Sequence, residues 1–144
     1  MSGVIYMDTS ALAKWYVNES RSDEVDEYIR QNAPMRISDL TAVEIRSLLA
    51  RRRRAGRISS NNEMEAFANF QEDMRRGLLI RHPLPDGWAE GAVNLMAVLS
   101  EIPIRSLDAM HIVTAQEIAA VALVTADRAL ADAAEAAGLS VVRF

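Results

Sequence analysis

A parallel α/β fold is predicted because short, continuous apolar runs alternate along the chain with longer segments of helical periodicity. Continuous apolar strands are buried on both faces, as in parallel sheets covered by helices. The chain has 144 residues, 50% hydrophobic and 25% charged, which suits one globular domain with one continuous core. We therefore expect a single domain over residues 1–144, without a linker or an internal repeat.

The first half of the chain predicts two strands and four helices. Residues 4–7 form an apolar strand, and Asp-Thr-Ser at 8–10 opens a helix because these side chains accept hydrogen bonds from free first-turn amides. Helical spacing predicts a second helix at 21–31, and a strand follows at 35–38. Helices at 41–54 and 59–76, separated by Gly56, predict a hairpin that projects from the sheet layer.

The second half predicts three strands and three helices. The strands are the apolar runs at 78–80, 121–124 and 140–143, and the helices are the periodic segments at 86–100, 106–119 and 127–137. Pro103 separates the first two of these helices, and Gly138 ends the last. Open α/β sheets bind ligands at the carboxyl ends of their strands, so function is expected at that edge.

Composition excludes several kinds of chemistry. The chain has no cysteine and two histidines, which excludes disulfides, a thiolate nucleophile and a histidine-built metal centre. No apolar run approaches the roughly 18 residues of a membrane span, and no secretory signal precedes the first strand, so we expect a cytoplasmic protein without membrane contact. Catalysis or metal binding must therefore use mainly oxygen ligands.

Four acidic residues lie near predicted helix starts: Asp8, Glu44, Asp108 and Asp127. Helix starts gather along one edge of a parallel sheet, so these side chains are expected close together. Each has a simpler interpretation as a helix cap or a complement to a helix dipole. In particular, Thr41 to Glu44 has the pattern of a capping box.

Two observations weigh against capping as the whole explanation. Glu44 and Asp108 lie on apolar helix faces, where a charge needs compensation. Hydroxyl side chains also stand at these helix starts and could cap in place of the acids: Thr9, Ser10, Thr41, Ser106 and Thr125. Carboxylates that lie together repel one another, and a divalent cation relieves the repulsion. Oxygen-only ligation favours Mg²⁺ or Mn²⁺.

The basic residues include one lysine, and Arg51, Arg52, Arg53 and Arg54 are consecutive, although the net charge is −4. Arginine binds phosphate with a bidentate fork, so this run is a candidate RNA contact, and a solvated helix end is the alternative. His111 follows Asp108 by three residues on the same helix face. We expect His111 to be a hydrogen-bonded, semi-buried side chain rather than a ligand.

Four segments, in order along nearly the whole chain, resemble the motifs of PIN domains of the VapC toxin type. They are Tyr6-Met7-Asp8-Thr9-Ser10-Ala11-Leu12-Ala13-Lys14, Ser38-Asp39-Leu40-Thr41-Ala42-Val43-Glu44-Ile45, Ser106-Leu107-Asp108-Ala109-Met110-His111, and Val124-Thr125-Ala126-Asp127-Arg128-Ala129-Leu130. Any one of them is weak, but four in order is a specific signal.

The resemblance implies a PIN-like fold and a metal-dependent endoribonuclease that is the toxin of a bacterial toxin–antitoxin pair. It implies Mg²⁺ or Mn²⁺ held by Asp8, Glu44, Asp108 and Asp127, with Ser10 and Thr125 as supporting polar groups. It also implies a homodimer that acts on RNA and is neutralised by a small antitoxin of the VapB type. A bound cation would lower the pKa of a water, and Asp127 or Glu44 could orient that water.

Other functions remain open at this point. An aspartate-nucleophile phosphatase and a receiver-type signalling domain also place an acid after the first strand. Both need a further acid nearby and a lysine late in the chain, whereas Ser10 stands at the phosphatase position and the only lysine is Lys14. A PIN-type RNA-processing nuclease without toxin function is a further alternative.

We expect the apolar residues of the helical hairpin to form the surface that binds the antitoxin. These residues are Leu48, Leu49, Phe67, Phe70 and Met74.

Overall fold

The computed structural model describes residues 3–144, whose strands form one parallel sheet. The strands are β1 (Ile5–Met7), β2 (Met35–Ser38), β3 (Leu79–His82), β4 (Ala122–Thr125) and β5 (Val141–Arg143). Their order across the sheet is β3-β2-β1-β4-β5, and every neighbouring pair is parallel. The predicted α/β fold with a central parallel sheet is confirmed.

Helices connect the strands in the predicted order. They are α1 (Thr9–Tyr16), α2 (Ser22–Asn32), α3 (Asp39–Arg54), α4 (Ser60–Arg75), α5 (Trp88–Val98), α6 (Ser106–Glu117) and α7 (Arg128–Ala136). The start of α3 differs from the prediction: it lies at Asp39, because Ser38 is the N-cap and its backbone N–H donates to Thr41 Oγ1 at 3.2 Å. The capping box predicted at Thr41 to Glu44 is therefore wrong, and Glu44 lies in the second turn, free of a capping role.

The sheet is buried on both faces. Ile5 and Met7 of β1 point into a core shared with α1 to α4, whereas Tyr6 points to the opposite face, where α6 and α7 pack. This alternation follows from the two-residue period of a strand. It places Tyr6 against α6, the helix that carries Asp108 and His111.

The helical hairpin of α3 and α4 packs against α1. Most of its large apolar residues belong to the core: Leu48, Leu49 and Phe70 are buried, and Phe67 and Met74 pack partly buried against the same cluster. The expectation that these residues form an antitoxin surface is therefore wrong. Val43 and Met64 are the hairpin's exposed large apolar side chains among residues 3–144, at 68% and 69% exposure.

Within residues 3–144, no helix combines the length and the apolar character that crossing a bilayer requires.

Candidate active site

The four predicted acids line one cleft of about 390 Å³ at the carboxyl edge of the sheet. β1 leads into the cleft at Asp8 and β4 at Asp127, while α3 and α6 bring the other two acids. The cleft is lined by Asp8, Thr9, Ser10, Leu40, Val43, Glu44, Ser47, Leu48, Arg51, Arg105, Leu107, Asp108, His111 and Asp127. The four acids therefore lie together as predicted, and their roles as ligands stay predictions.

Asp8 is a buried carboxylate, with 4% of its surface exposed. It caps α1, where its Oδ1 accepts a hydrogen bond from the Ala11 N–H at 3.1 Å, and the Ser10 hydroxyl lies 2.9 Å from each oxygen. Burial raises the pKa of Asp8, and the charge of His111 and these hydrogen bonds offset part of the rise. Among residues 3–144 no arginine or lysine is paired with it, so the carboxylate lacks a basic partner.

Hydroxyl groups tie the end of β4 to α1. The Ser10 Oγ lies 3.2 Å from Thr125 Oγ1 and accepts a hydrogen bond from the Ala126 N–H at 2.9 Å. Thr125 Oγ1 accepts one from the Asp127 N–H at 2.9 Å. The expectation that hydroxyls cap and leave the acids free is wrong at α1 and α7, because Asp8 and Asp127 cap these helices and the hydroxyls support the loops.

Asp108 and Asp127 share one cation, the guanidinium of Arg105. Arg105 Nε lies 3.1 Å from Asp108 Oδ2, and its Nη2 lies 2.5 Å from Asp127 Oδ2. Arg105 is the N-cap residue of α6, so its side chain starts at the rim of the cleft. Arg105 was not among the predicted site residues; its position three residues before Asp108, at a helix start, is the signal that could have found it.

Glu44 is held by two hydrogen bonds to a single oxygen. Thr9 Oγ1 donates to Glu44 Oε1 at 2.6 Å, and His111 Nε2 lies 2.6 Å from the same atom. Burial raises the pKa of Glu44, but the hydrogen bonds from His111 and Thr9 and the charges of His111 and Arg105 outweigh burial and hold it below its ordinary value. The carboxylate is therefore ionised and fixed in orientation at neutral pH.

The other nitrogen of His111 reaches into the core. Its Nδ1 lies 2.6 Å from the hydroxyl oxygen of Tyr6, and that hydroxyl donates its proton to Ser38 Oγ at 3.1 Å. His111 is 3% exposed and Tyr6 is fully buried, and burial raises the pKa of the Tyr6 hydroxyl. The expectation of a hydrogen-bonded histidine is confirmed, whereas Tyr6 was missed because it looks like an ordinary core residue in an apolar strand.

The four consecutive arginines point in different directions, because successive residues of a helix are about 100° apart. Arg51 lines the cleft and donates to Ser47 Oγ at 3.1 Å. Arg52 pairs with Glu19 at 2.7 Å, and Arg53 pairs with Glu63 at 2.6 Å. Arg54 is exposed and is not among the residues of the cleft. The run is therefore not one continuous basic surface.

The donor chemistry of the cleft fits a hard divalent cation, since carboxylates and hydroxyls surround it. Across residues 3–144, however, no three acidic or histidine side chains are gathered closely enough to ligate one ion in this arrangement. The acids are engaged by protein partners instead, and Arg105 supplies a positive charge to two of them. The side chains that would hold a metal ion would therefore need to exchange partners.

The fold and the cleft together define an α/β protein with acidic side chains at the carboxyl ends of its strands. Residues 5–136 match the PIN domain family, and the chain belongs to that family. The resemblance found in the four sequence motifs is confirmed.

Relatives of the chain carry the VapC name. Ribonuclease VapC35 of Mycobacterium tuberculosis (strain CDC 1551 / Oshkosh) is 31% identical over 146 residues, which cover 96% of each chain. In structure, the chain is similar to VapC20 of Mycobacterium tuberculosis, a sarcin–ricin loop cleaving toxin, with a TM-score of 0.74 and 18% identity over 97% of this chain and 99% of that one. It is also similar to a toxin–antitoxin complex from Klebsiella pneumoniae, with a TM-score of 0.58 and 16% identity over 85% and 86% of the two chains. At these identities the structural likenesses show the fold.

Proposed function

We propose that this chain is an endoribonuclease that depends on Mg²⁺ or Mn²⁺ and acts as the toxin of a toxin–antitoxin pair. The observation that carries the proposal is the buried carboxylate of Asp8 in a cleft lined by three further acids. Family membership and the relative named Ribonuclease VapC35 support the reaction, and the toxin VapC20 supports the biological role.

The residues that would hold the cation are Asp8, Glu44, Asp108 and Asp127. When bound, the cation would supply a Lewis acid that lowers the pKa of a bound water and neutralises charge on the phosphate under attack. Ser10 keeps the Asp8 carboxylate in place through hydrogen bonds to both of its oxygens. These hydrogen bonds fix the position of the carboxylate in the cleft.

Glu44 is suited to orienting the attacking water. Both of its hydrogen bonds from Thr9 and His111 end on Oε1, so Oε2 is available to accept a proton from a water in the cleft. The lowered pKa of Glu44 keeps it ionised, as an acceptor must be. We propose that His111 and Thr9 are positioning residues that act through Glu44.

Arg51 is the member of the arginine run best placed to contact RNA. It lines the cleft on α3 and its side chain is exposed, so its guanidinium is available to a phosphate beside the acids. Arg52 and Arg53 are occupied by Glu19 and Glu63. We propose that the RNA backbone enters along the side of the cleft that Arg51 forms.

Substitution of the acids tests the reaction. We expect Asp8→Asn and Asp108→Asn to abolish metal-dependent RNA cleavage while the circular dichroism spectrum stays native. Asp23→Asn is the matched control, because Asp23 is an exposed acid on α2 outside the cleft. Cleavage at an undiminished rate in EDTA would contradict the metal mechanism.

A small antitoxin of the VapB type and a second copy of the chain are the proposed protein partners. The toxin–antitoxin complex from Klebsiella pneumoniae, which shares the fold, supports the first. Expression of the wild-type chain alone should arrest growth, co-expression of a neighbouring small gene should relieve the arrest, and Asp8→Asn should be harmless. Unaffected growth with active RNA cleavage would indicate an RNA-processing nuclease. Analytical ultracentrifugation of the purified chain should give the mass of a dimer.

A further inference from the structure

Arg105 reaches across the cleft between two helix starts. Its side chain leaves the N-cap of α6, and its Nε and Nη2 bind one carboxylate on α6 and one at the start of α7. Asp108 is 7% exposed at its side chain and Asp127 is 26% exposed, whereas Arg105 is 67% exposed. The two carboxylates are thus part of the cleft surface, and the Arg105 side chain covers them on the side that faces solvent.

This contact is readily exchanged. Ion pairs with a largely exposed partner contribute little to stability, because water screens the charges and the long side chain loses freedom. Asp127 is held independently through the Leu130 N–H at 3.1 Å, so its position does not depend on the arginine. The guanidinium can therefore leave without unfolding the acid site.

A divalent cation held by Asp108 and Asp127 would compete with Arg105 for these two carboxylates. The guanidinium occupies Asp108 Oδ2 and Asp127 Oδ2, and two positive charges at this spacing repel each other. Binding of a metal ion to Asp108 and Asp127 would therefore favour release of Arg105. The reverse also holds, since coupling between two binding events is reciprocal.

The released guanidinium stays attached to the rim of the cleft. Its fork of donors matches the paired oxygens of a phosphate as well as those of a carboxylate. This inference rests on the proposed function: we propose that Arg105 exchanges one binding partner for another when the cleft takes up a metal ion. In the metal-free chain it pairs with Asp108 and Asp127 and offsets part of their charge, and when a divalent cation takes these acids it transfers to a phosphate of the bound nucleic acid. The site thereby gains a phosphate contact only when it is loaded with metal.

Titration of Mn²⁺ into the metal-free full chain, without nucleic acid, tests the competition. We expect Arg105→Gln to bind Mn²⁺ about five-fold more tightly or better, the lower range of typical coupling, by isothermal titration calorimetry. Arg105→Lys should lie between this variant and the wild type, because it keeps the charge but not the fork. Arg128→Gln removes an exposed charge next to Asp127 that makes no ion pair in the described structure, so its affinity should change less than two-fold. An unchanged or weakened Mn²⁺ affinity in Arg105→Gln would overturn the proposal.

Binding of a fluorescent single-stranded oligodeoxynucleotide, checked for intactness on a gel, tests the transfer. With Mn²⁺ present, Arg105→Gln should lose several-fold more affinity than Arg128→Gln, and in EDTA the two variants should lose equally. If Arg105→Gln and Arg128→Gln lost equal affinity for the oligodeoxynucleotide both with Mn²⁺ and in EDTA, the transfer of Arg105 to a phosphate would be overturned. If no variant binds Mn²⁺, the exchange is overturned as well, whereas the proposed reaction is judged separately by RNA cleavage with the wild-type chain. Native circular dichroism of each variant is the control for folding.

Discussion

A buried hydrogen-bonded chain from Tyr6 through His111 to Glu44 joins the core to the cleft. An ionised carboxylate only accepts hydrogen bonds, so His111 Nε2 must donate to Glu44. The Tyr6 hydroxyl, 2.6 Å from Nδ1, then fixes the plane of the ring from the other side. Because both ring nitrogens are hydrogen-bonded, the orientation of the imidazole is fixed. The hydrogen bond from His111 in turn fixes the orientation of the Glu44 carboxylate.

Replacement of His111 should therefore destabilise the chain and displace Glu44. In His111→Leu, Tyr6 loses a buried hydrogen bond and Glu44 a partly buried one, and we expect a loss of about 1–3 kcal/mol in the free energy of unfolding by urea. RNA cleavage should fall through kcat more than through KM. His82→Leu, on the edge strand β3, is the control and should cost clearly less. Wild-type stability and kcat in His111→Leu would refute a positioning role.

Arg51 and Arg54 provide a matched pair on one helix, both exposed and only one in the cleft. We expect Arg51→Ala to weaken RNA binding and to reduce the slope of log K against log salt by about 1, because one phosphate contact is lost. Arg54→Ala should leave both nearly unchanged. Fluorescence anisotropy over a range of salt concentrations measures both quantities. If Arg51→Ala and Arg54→Ala changed RNA affinity and its salt dependence equally, Arg51 would have no specific role in RNA binding at the cleft.

At the scale of elements, an ionic contact joins the two helices of the hairpin. Glu63 of α4 is 6% exposed, and its two oxygens receive Arg53 Nε at 2.6 Å and Arg46 Nη2 at 3.1 Å, both from α3. Burial raises the pKa of Glu63, but the two arginines outweigh burial and hold that pKa below its ordinary value. The ionised Glu63 carboxylate thus helps to hold α3 against α4, and α3 carries cleft residues.

Glu63→Gln should lower the melting temperature in a pH-dependent manner. A carboxyl whose pKa is lowered by folding stabilises the fold above its ordinary pKa of about 4.3 and loses that contribution as the pH falls through the lowered value. The difference in melting temperature between wild type and variant should therefore be largest near pH 7 and shrink as the pH falls below about 4. Glu65→Gln, an exposed neighbour, is the control. A difference that does not depend on pH would exclude the ionic contribution.

At the scale of the whole molecule, negative charge accumulates at one edge of the sheet. Parallel topology brings the ends of β1 and β4 together, so acids from distant parts of the chain share one cleft. Arg105 and His111 offset part of that charge, whereas Asp8 has no basic partner within residues 3–144. The fold therefore gains stability from any cation that the cleft takes up.

Mn²⁺ or Mg²⁺ should raise the melting temperature of the metal-free chain. At ten times Kd the stabilisation is about 1.4 kcal/mol, or about 3–6 °C for a domain of this size. Asp8→Asn should show a smaller shift and should melt at a higher temperature than the wild type without metal, because it removes a buried charge. Differential scanning fluorimetry measures both. An identical response to metal in the two proteins would remove Asp8 from the cation site.

The helix caps show which features of the structure local sequence patterns can predict. Asp8 and Asp127 cap their helices as the simpler interpretation predicted, and they also line the cleft. At α3 the local pattern of Thr41 to Glu44 was misleading, because Ser38 at the end of β2 caps the helix. Sequence locates a helix start to within a residue or two, but the choice among neighbouring polar residues depends on where the preceding strand ends.

The order and type of the strands and helices, the edge at which the acids meet, and the motifs of the PIN domain family can all be predicted from the amino-acid sequence. These features follow from hydrophobic periodicity and from residue types at helix starts, which are local properties of the chain. Only the packed structure shows that Arg105 bridges Asp108 and Asp127 and that Tyr6 contacts His111. It also decided that the hairpin's leucines are buried in the core. Tyr6 and His111 are 105 positions apart in the chain, and such contacts depend on the packing of separate elements, which no local pattern encodes.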